Sequence, residues 1–276
     1  MSASLADQAC SLAVALGANR PSAAGSPQQT LIAVRPQLEQ LLCDWAQISL
    51  SRISCSWSPL LETAPVGGPP GQPMYCNAVL LIRGVPGAPD AEAALALLDR
   101  LRALEAQYGR DRDREVRWGP RSLDLDLLLY DDLVIDSKEV VVPHPSMWYR
   151  RFVLAPLNEI AAERIHPIFG ESVEQLHVRL LNRPLAVELA MPDGITIAEV
   201  EEALPEDDFL TLQPVDTRSG QGSDCFARLA EGESRETRQP ALQTERIVRV
   251  TRADSDEERI NLWKQAIRDF FSAVAG

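Results

Sequence analysis

The chain of 276 residues is predicted to adopt an α+β fold, on three observations. Short apolar runs of strand length alternate with amphipathic stretches, Pro/Gly-rich turns separate them, and one strongly periodic helix lies between two of the runs. The composition, 45% hydrophobic and 24% charged, allows a sizeable buried core and excludes disorder throughout. The length suits one ordinary domain plus a further module.

Ser11 to Leu16 reads as a buried strand that ends in a turn at Gly17-Ala18-Asn19. Gln28 to Trp45 has helical apolar spacing, with Pro36 marking a helix start or a kink because it lacks an amide hydrogen. Ile48 to Trp57 is a second strand, and the loop Ala64 to Pro73 separates it from a third, Tyr75 to Arg83. Pro89 to Tyr108 is the clearest helix, its stripe formed by Ala94, Leu97, Leu98, Leu101 and Leu104. A charged loop, Gly109 to Gly119, then leads into a strand, Arg121 to Tyr130, and Asp131-Asp132 turns the chain before Leu133 to Ile135. The order β-α-β-β-α-β predicts a ferredoxin-like sandwich.

Beyond Pro184 the character changes, so the expected division is a domain at 11–184 and a small mixed α/β extension at 185–276. In the extension, Leu185 to Leu189, Phe209 to Gln213 and Arg246 to Thr251 read as strands. Thr196-x-x-Glu199 and Ser255-x-x-Glu258 resemble capping boxes, the second opening a helix with Ile260, Trp263, Ile267, Phe270 and Phe271 on its apolar positions. The polar span 219–245 reads as flexible.

Residues 1–184 hold 17 Lys+Arg against 21 Asp+Glu (−4), and the remainder holds 10 against 19 (−9), which together give the net charge of −13. An acidic chain of this kind is no sequence-independent nucleic-acid binder. Five scattered cysteines form neither CxxC nor a zinc-like spacing with the three histidines, and reduced thiols are expected. No stretch reaches the roughly 18 to 20 apolar residues of a membrane span, and MSASLADQAC lacks the pattern of a secretory leader. A cytoplasmic protein without membrane association is expected.

The chemistry concentrates in Arg117 to Tyr130, RWGPRSLDLDLLLY. In a strand, Leu123, Leu125, Leu127 and Leu129 would face one side while Asp124 and Asp126 share the other, about 7 Å apart and able to converge on hard divalent cations. A DxD pair alone is equally a pair of solvated carboxylates. Arg110, Arg112, Arg114, Arg117 and Arg121 crowd the same strand, and guanidinium groups bind phosphate oxygens bidentately, so the combination suggests Mg-ATP. These arginines alternatively pair with Asp111, Asp113 and Glu115, and for Arg114 that alternative has at least equal weight.

The segment resembles the hallmark strand of the 6-hydroxymethyl-7,8-dihydropterin pyrophosphokinases. Further similar segments follow in order: LGAN at Leu16 to Asn19, ETAPVG at Glu62 to Gly67, YCNAV at Tyr75 to Val79, LEAQYGR at Leu104 to Arg110, and VPHPSMWYRRFVLAPLNEIA at Val142 to Ala161. The resemblance implies transfer of diphosphate from ATP to the pterin alcohol in folate biosynthesis. It implies two magnesium ions on Asp124 and Asp126, and contacts to ATP from Arg110, Arg112, Arg117, Arg121, His144 and Arg150, with Arg110, Arg112, Arg117, Arg121 and the two aspartates forming the catalytic set. The pterin would lie against Thr63, Val66, Tyr75, Asn77, Trp118 and Phe152. LGAN in place of LGSN, Ala64, Ser146 and a charged loop one residue longer depart from the family pattern, without removing a metal ligand. Rival readings are a related pyrophosphokinase of altered pterin specificity and a catalytically silent ferredoxin-like module that binds a nucleotide or a partner. The extension carries no motif with chemistry, and three roles are open to it: packing, partner binding, or a domain with its own ligand.

Overall fold

The computed structural model describes residues 9–112, 119–192, 194–204, 209–215, 226–232, 247–251 and 255–275. The first part is built from β1 (Ala9–Ala18), α1 (Pro27–Ala33), α2 (Arg35–Ala46), β2 (Ser54–Trp57), β3 (Leu61–Thr63), β4 (Tyr75–Pro86), α3 (Ala91–Gln107) and β5 (Asp124–Tyr130). A small pair, β6 (Ile135–Asp136) and β7 (Val141–Val142), precedes α4 (Arg151–Ala161) and α5 (Val173–Leu181). The extension adds β8 (Leu185–Ala190), α6 (Ile197–Glu201), β9 (Leu210–Pro214), β10 (Ala227–Gly232), β11 (Ile247–Thr251) and α7 (Asp256–Ala275).

The central sheet runs β2-β4-β1-β5, every neighbouring pair antiparallel, with β3 pairing β4 beyond β2. Side chains alternate between its two faces, as the pleat requires, except where a ladder shifts register. Leu12, Val14, Leu16, Leu80 and Ile82 pack under the first three helices, and Ala13, Val79 and Leu81 face α4 and α5. Both faces of the sheet are therefore buried. Helix α3 starts where expected because Asp90 caps it, accepting from the Ala93 amide at 2.8 Å. Pro36 lies in the first turn of α2 and opens that helix, separate from α1.

Four expectations are corrected. The first strand continues through Gly17 and Ala18, because pairing with β4 and β5 on both sides outlasts the apolar run. Leu50–Arg52 forms a 3₁₀ turn, so the second strand begins only at Ser54. Leu129 does not share a face with Leu125 and Leu127: a bulge opposite Ala13 and Val14 skips Leu128 in the ladder and places Leu128 and Leu129 together on the α4 side. Finally, β10 falls within the 219–245 span read as flexible, while most of that span lies outside the described residues.

The strands of the extension form a parallel sheet, β11-β10-β8-β9. Buried residues of this sheet and of α7, among them Val187, Leu189, Leu229, Trp263, Ile267 and Phe270, belong to the same hydrophobic cluster as Val153, Leu154 and Leu157 of α4. The two sheets are thus joined through α4 by one continuous core. Leu154 is fully buried within it. Leu154→Ala is expected to cost about 2–5 kcal/mol, the sum of lost transfer energy and the cavity left behind, as read from urea unfolding.

Candidate functional site

The candidate site lies at the end of the central sheet where Gly17 of β1 sits between Asn77 of β4 and Asp124 of β5. A β-carbon on Gly17 would stand 3.3 Å from the Asn77 carboxamide oxygen and 4.0 Å from Asp124 Cβ, so the glycine keeps this floor open. Ala15, opposite Asp126, continues the strip of small residues.

Asp124 is held by two guanidiniums, Arg110 on Oδ1 and Arg121 on Oδ2. Arg110 is delivered by the end of α3. Gly109 takes a positive φ of 87°, which turns the chain so that the Arg110 amide donates to the Glu105 carbonyl at 3.1 Å. The Glu105 side chain, 1% exposed, then receives Arg110 at 2.5 Å, Arg112 at 2.6 Å and the backbone amide of Leu125 at 2.8 Å. One buried carboxylate therefore ties helix, arginine loop and strand together.

Charge balance differs sharply between the two aspartates. Burial alone would raise the Asp124 carboxyl, but Arg121 and Arg110 more than offset it and hold the group below the usual carboxylate range. Among the described residues Asp126 has no such pair of guanidiniums bonded to it. Its carboxyl is raised from the ordinary 3.8 to about 6, by burial first and then by the neighbouring Asp124 charge. The Glu105 carboxyl is also raised, by burial and then by Asp124. His144 Nε2 stands 3.8 Å from Asp126 Oδ2. The His144 amide donates to the Leu128 carbonyl at 2.8 Å, so the bulged residue of β5 locates the histidine.

On the other side of Gly17, Asn77 donates its amide to Thr63 Oγ1 at 2.9 Å, and both residues are buried. Tyr75 Oη donates to the Gly119 carbonyl at 3.3 Å. Val66 is half-buried in the loop after β3. Arg150 lies over the Phe152 ring at 5.5 Å, at the start of α4. The structure thus brings together Arg110, Arg112, Arg121, Asp124, Asp126 and His144, and separately Thr63 with Asn77. Arg117 and Trp118 lie outside the described residues.

Three contributors escaped the sequence reading. Gly17 looked like a turn residue. Asn19, 1% exposed, accepts from the Arg121 amide at 2.8 Å and donates to the Pro73 carbonyl at 3.2 Å, so it joins the charged strand to the loop after β3. Glu105 carried a legible signal: it continues the buried face of α3 four residues after Leu101, where an acid demands a partner.

The two carboxylates fit a hard divalent cation in their chemistry, since both are oxygen donors on one strand face. Among the described residues no cluster of three His, Cys, Asp or Glu that could hold a metal ion is present.

Comparison with known proteins gives a family match over residues 13–162, to the model described as 7,8-dihydro-6-hydroxymethylpterin-pyrophosphokinase. Three similar relatives are each named 2-amino-4-hydroxy-6-hydroxymethyldihydropteridine pyrophosphokinase. The protein from Synechocystis is 42% identical over 109 residues, 40% of this chain and 51% of its own length. That from Pseudomonas aeruginosa is 39% identical over 129 residues, 47% of this chain and 74% of its own. The Bacillus subtilis protein is 33% identical over 152 residues, 55% and 83% of the respective chains. This chain therefore spans about half of the Synechocystis relative and most of the other two.

Two outcomes are expected. Glu105→Ala leaves buried guanidinium charge unmatched and is expected to cost about 3–5 kcal/mol, read by urea unfolding. For Asp126 the folded state binds its proton more tightly than the unfolded state does, so ionisation costs stability as pH rises from about 4 to about 6. The stability of Asp126→Asn relative to the parent should therefore increase across that window, measured by unfolding at constant ionic strength.

Proposed function

Because the chain belongs to the 7,8-dihydro-6-hydroxymethylpterin-pyrophosphokinase family, we propose that it transfers the β,γ-diphosphate of ATP to the hydroxymethyl oxygen of 6-hydroxymethyl-7,8-dihydropterin. The new bond joins that oxygen to the β-phosphorus, the bond from β-phosphorus to the α,β-bridging oxygen breaks, and AMP leaves. The observation that carries this reading is the pair Asp124 and Asp126 on one strand face beneath Arg110 and Arg121.

In this reading Arg110 and Arg121 are held on Asp124 until a polyphosphate arrives, and then exchange the carboxylate for phosphate oxygens. The exchange uncovers Asp124 and places two positive charges where negative charge develops. Arg112 stays anchored on Glu105 at the rim, and His144 and Arg150 reach the phosphates from the other side. Arg117, from the same loop, completes the set. Asp124 and Asp126 would hold two Mg²⁺ ions, which supply charge neutralisation and alignment of the phosphates. Thr63, Val66, Tyr75, Asn77, Trp118 and Phe152 would receive the pterin, with Asn77 bonding the heterocycle edge and the aromatic rings supplying flat walls. No side chain need act as a unique general base, because alignment and charge stabilisation dominate this chemistry.

The β2-β4-β1-β5 order with wholly antiparallel pairing supports the ferredoxin-like βαββαβ reading of the catalytic part, which we assign to residues 11–184, with 185–276 as an extension. Among the described residues no helix is long and apolar enough to cross a membrane. We assign the chain to the cytoplasm, a reading that the free thiols Cys10, Cys43, Cys55 and Cys76 support. ATP and the pterin alcohol are the partners in this reading, without nucleic acid or membrane.

Incubation with ATP, Mg²⁺ and the pterin alcohol should release AMP, and its absence would favour the silent binding module. Asp126→Ala is expected to lower turnover by at least about 10²–10³-fold, the scale of losing one charge-stabilising group, with an undiminished melting temperature. An Asp126→Ala enzyme of parental activity refutes the metal-site assignment.

A further inference from the structure

The extension meets the catalytic part at the segment that carries His144, Arg150 and Phe152. Trp148 packs on Phe226 with ring centres 5.7 Å apart, and Tyr149 on Phe270 at 5.5 Å. Arg151 donates through Nη1 to the Ala275 carbonyl in the last turn of α7, at 2.9 Å. Arg183 donates to the adjacent Val274 carbonyl at 3.2 Å. The final turn of α7 is thus held by two guanidiniums, one of which lies between the candidate ligands Arg150 and Phe152 in sequence.

Electrostatics gives this contact a purpose. Arg150 and Arg151 stand at the N-cap and first position of α4, the positive end of its dipole, where cations are unfavourable. That end has no side-chain cap, and no acidic residue lies in the first turn. The C-terminal carbonyls of α7 bring the negative end of another helix against the same point.

We infer that Arg151 is a positioning residue, fixed by the last turn of α7 so that its neighbours Arg150 and Phe152 are oriented toward ATP and pterin, and that the extension thereby forms part of the apparatus of the site. The inference rests on the function proposed above. Arg151 acts through its neighbours and is not assigned a contact with substrate.

In the full-length chain, Arg151→Ala is expected to raise the KM for ATP about three- to tenfold with kcat within about twofold, since alignment of a ligand-binding group is lost and the phosphate-clamping groups remain. Arg151→Lys keeps a cationic donor for the Ala275 carbonyl and should stay within about twofold of the parent. A parental KM for ATP in Arg151→Ala, or a lysine variant as impaired as the alanine variant, overturns the inference. If the parent releases no AMP, the functional reading fails instead. Calorimetric titration with a non-hydrolysable ATP analogue then decides the positioning role, by the same criterion applied to Kd.

Discussion

The site depends on how the charge of Asp124 is balanced. A carboxylate set into the end of a sheet, with Glu105 buried below it and Asp126 beside it, would be costly to ionise without compensation. Arg110 and Arg121 supply that compensation, and each is fixed by a different part of the fold: Arg110 by Glu105 at the end of α3, Arg121 through its backbone by Asn19 at the end of β1. The clamp therefore couples helix, strand and loop. The same Asp124 charge, together with burial, raises the Asp126 carboxyl, which would suit the cation-binding role proposed for it.

The second organising feature is the double coverage of the central sheet. The first three helices bury one face, and α4 with α5 buries the other while offering its outer side to the extension. Parallel strands need cover to be stable, and in the extension α7 packs on β11 and also on α4, whose amino end carries Arg150 and Phe152. Stability of the added sheet and order of the site thus meet in a single helix.

Much of this was legible in the sequence because the signals are local. Asp124 and Asp126 share a face by the two-residue period of a strand, and the buried face of α3 follows directly from the spacing of Ala94, Leu97, Leu101 and Leu104. Asp90 and Ser255 announce helix starts by their hydrogen-bonding capacity. What was not legible depends on contacts between distant residues. That Asn19 ties Arg121 to Pro73, that Gly17 clears a floor between two strands, and that α7 ends against Arg151 all require the tertiary pairing to be known. Glu105 lies between these cases, since its place on an apolar face was visible but its partners were not. The face assigned to Leu129 failed because a bulge interrupts a period that sequence alone makes look unbroken.

That bulge bears on how the molecule tolerates insertion and deletion. The Leu128 carbonyl is turned to the His144 amide just where the ladder with β1 skips a residue. Removing one residue between Asp126 and Tyr130 would restore regular alternation, but it would either carry Asp126 off the site face or withdraw the carbonyl that seats His144. The number of residues between these points is thus a constraint in its own right, separate from their identities. Length variation among related chains should accordingly fall in places such as the loop after β3, where no ladder counts residues.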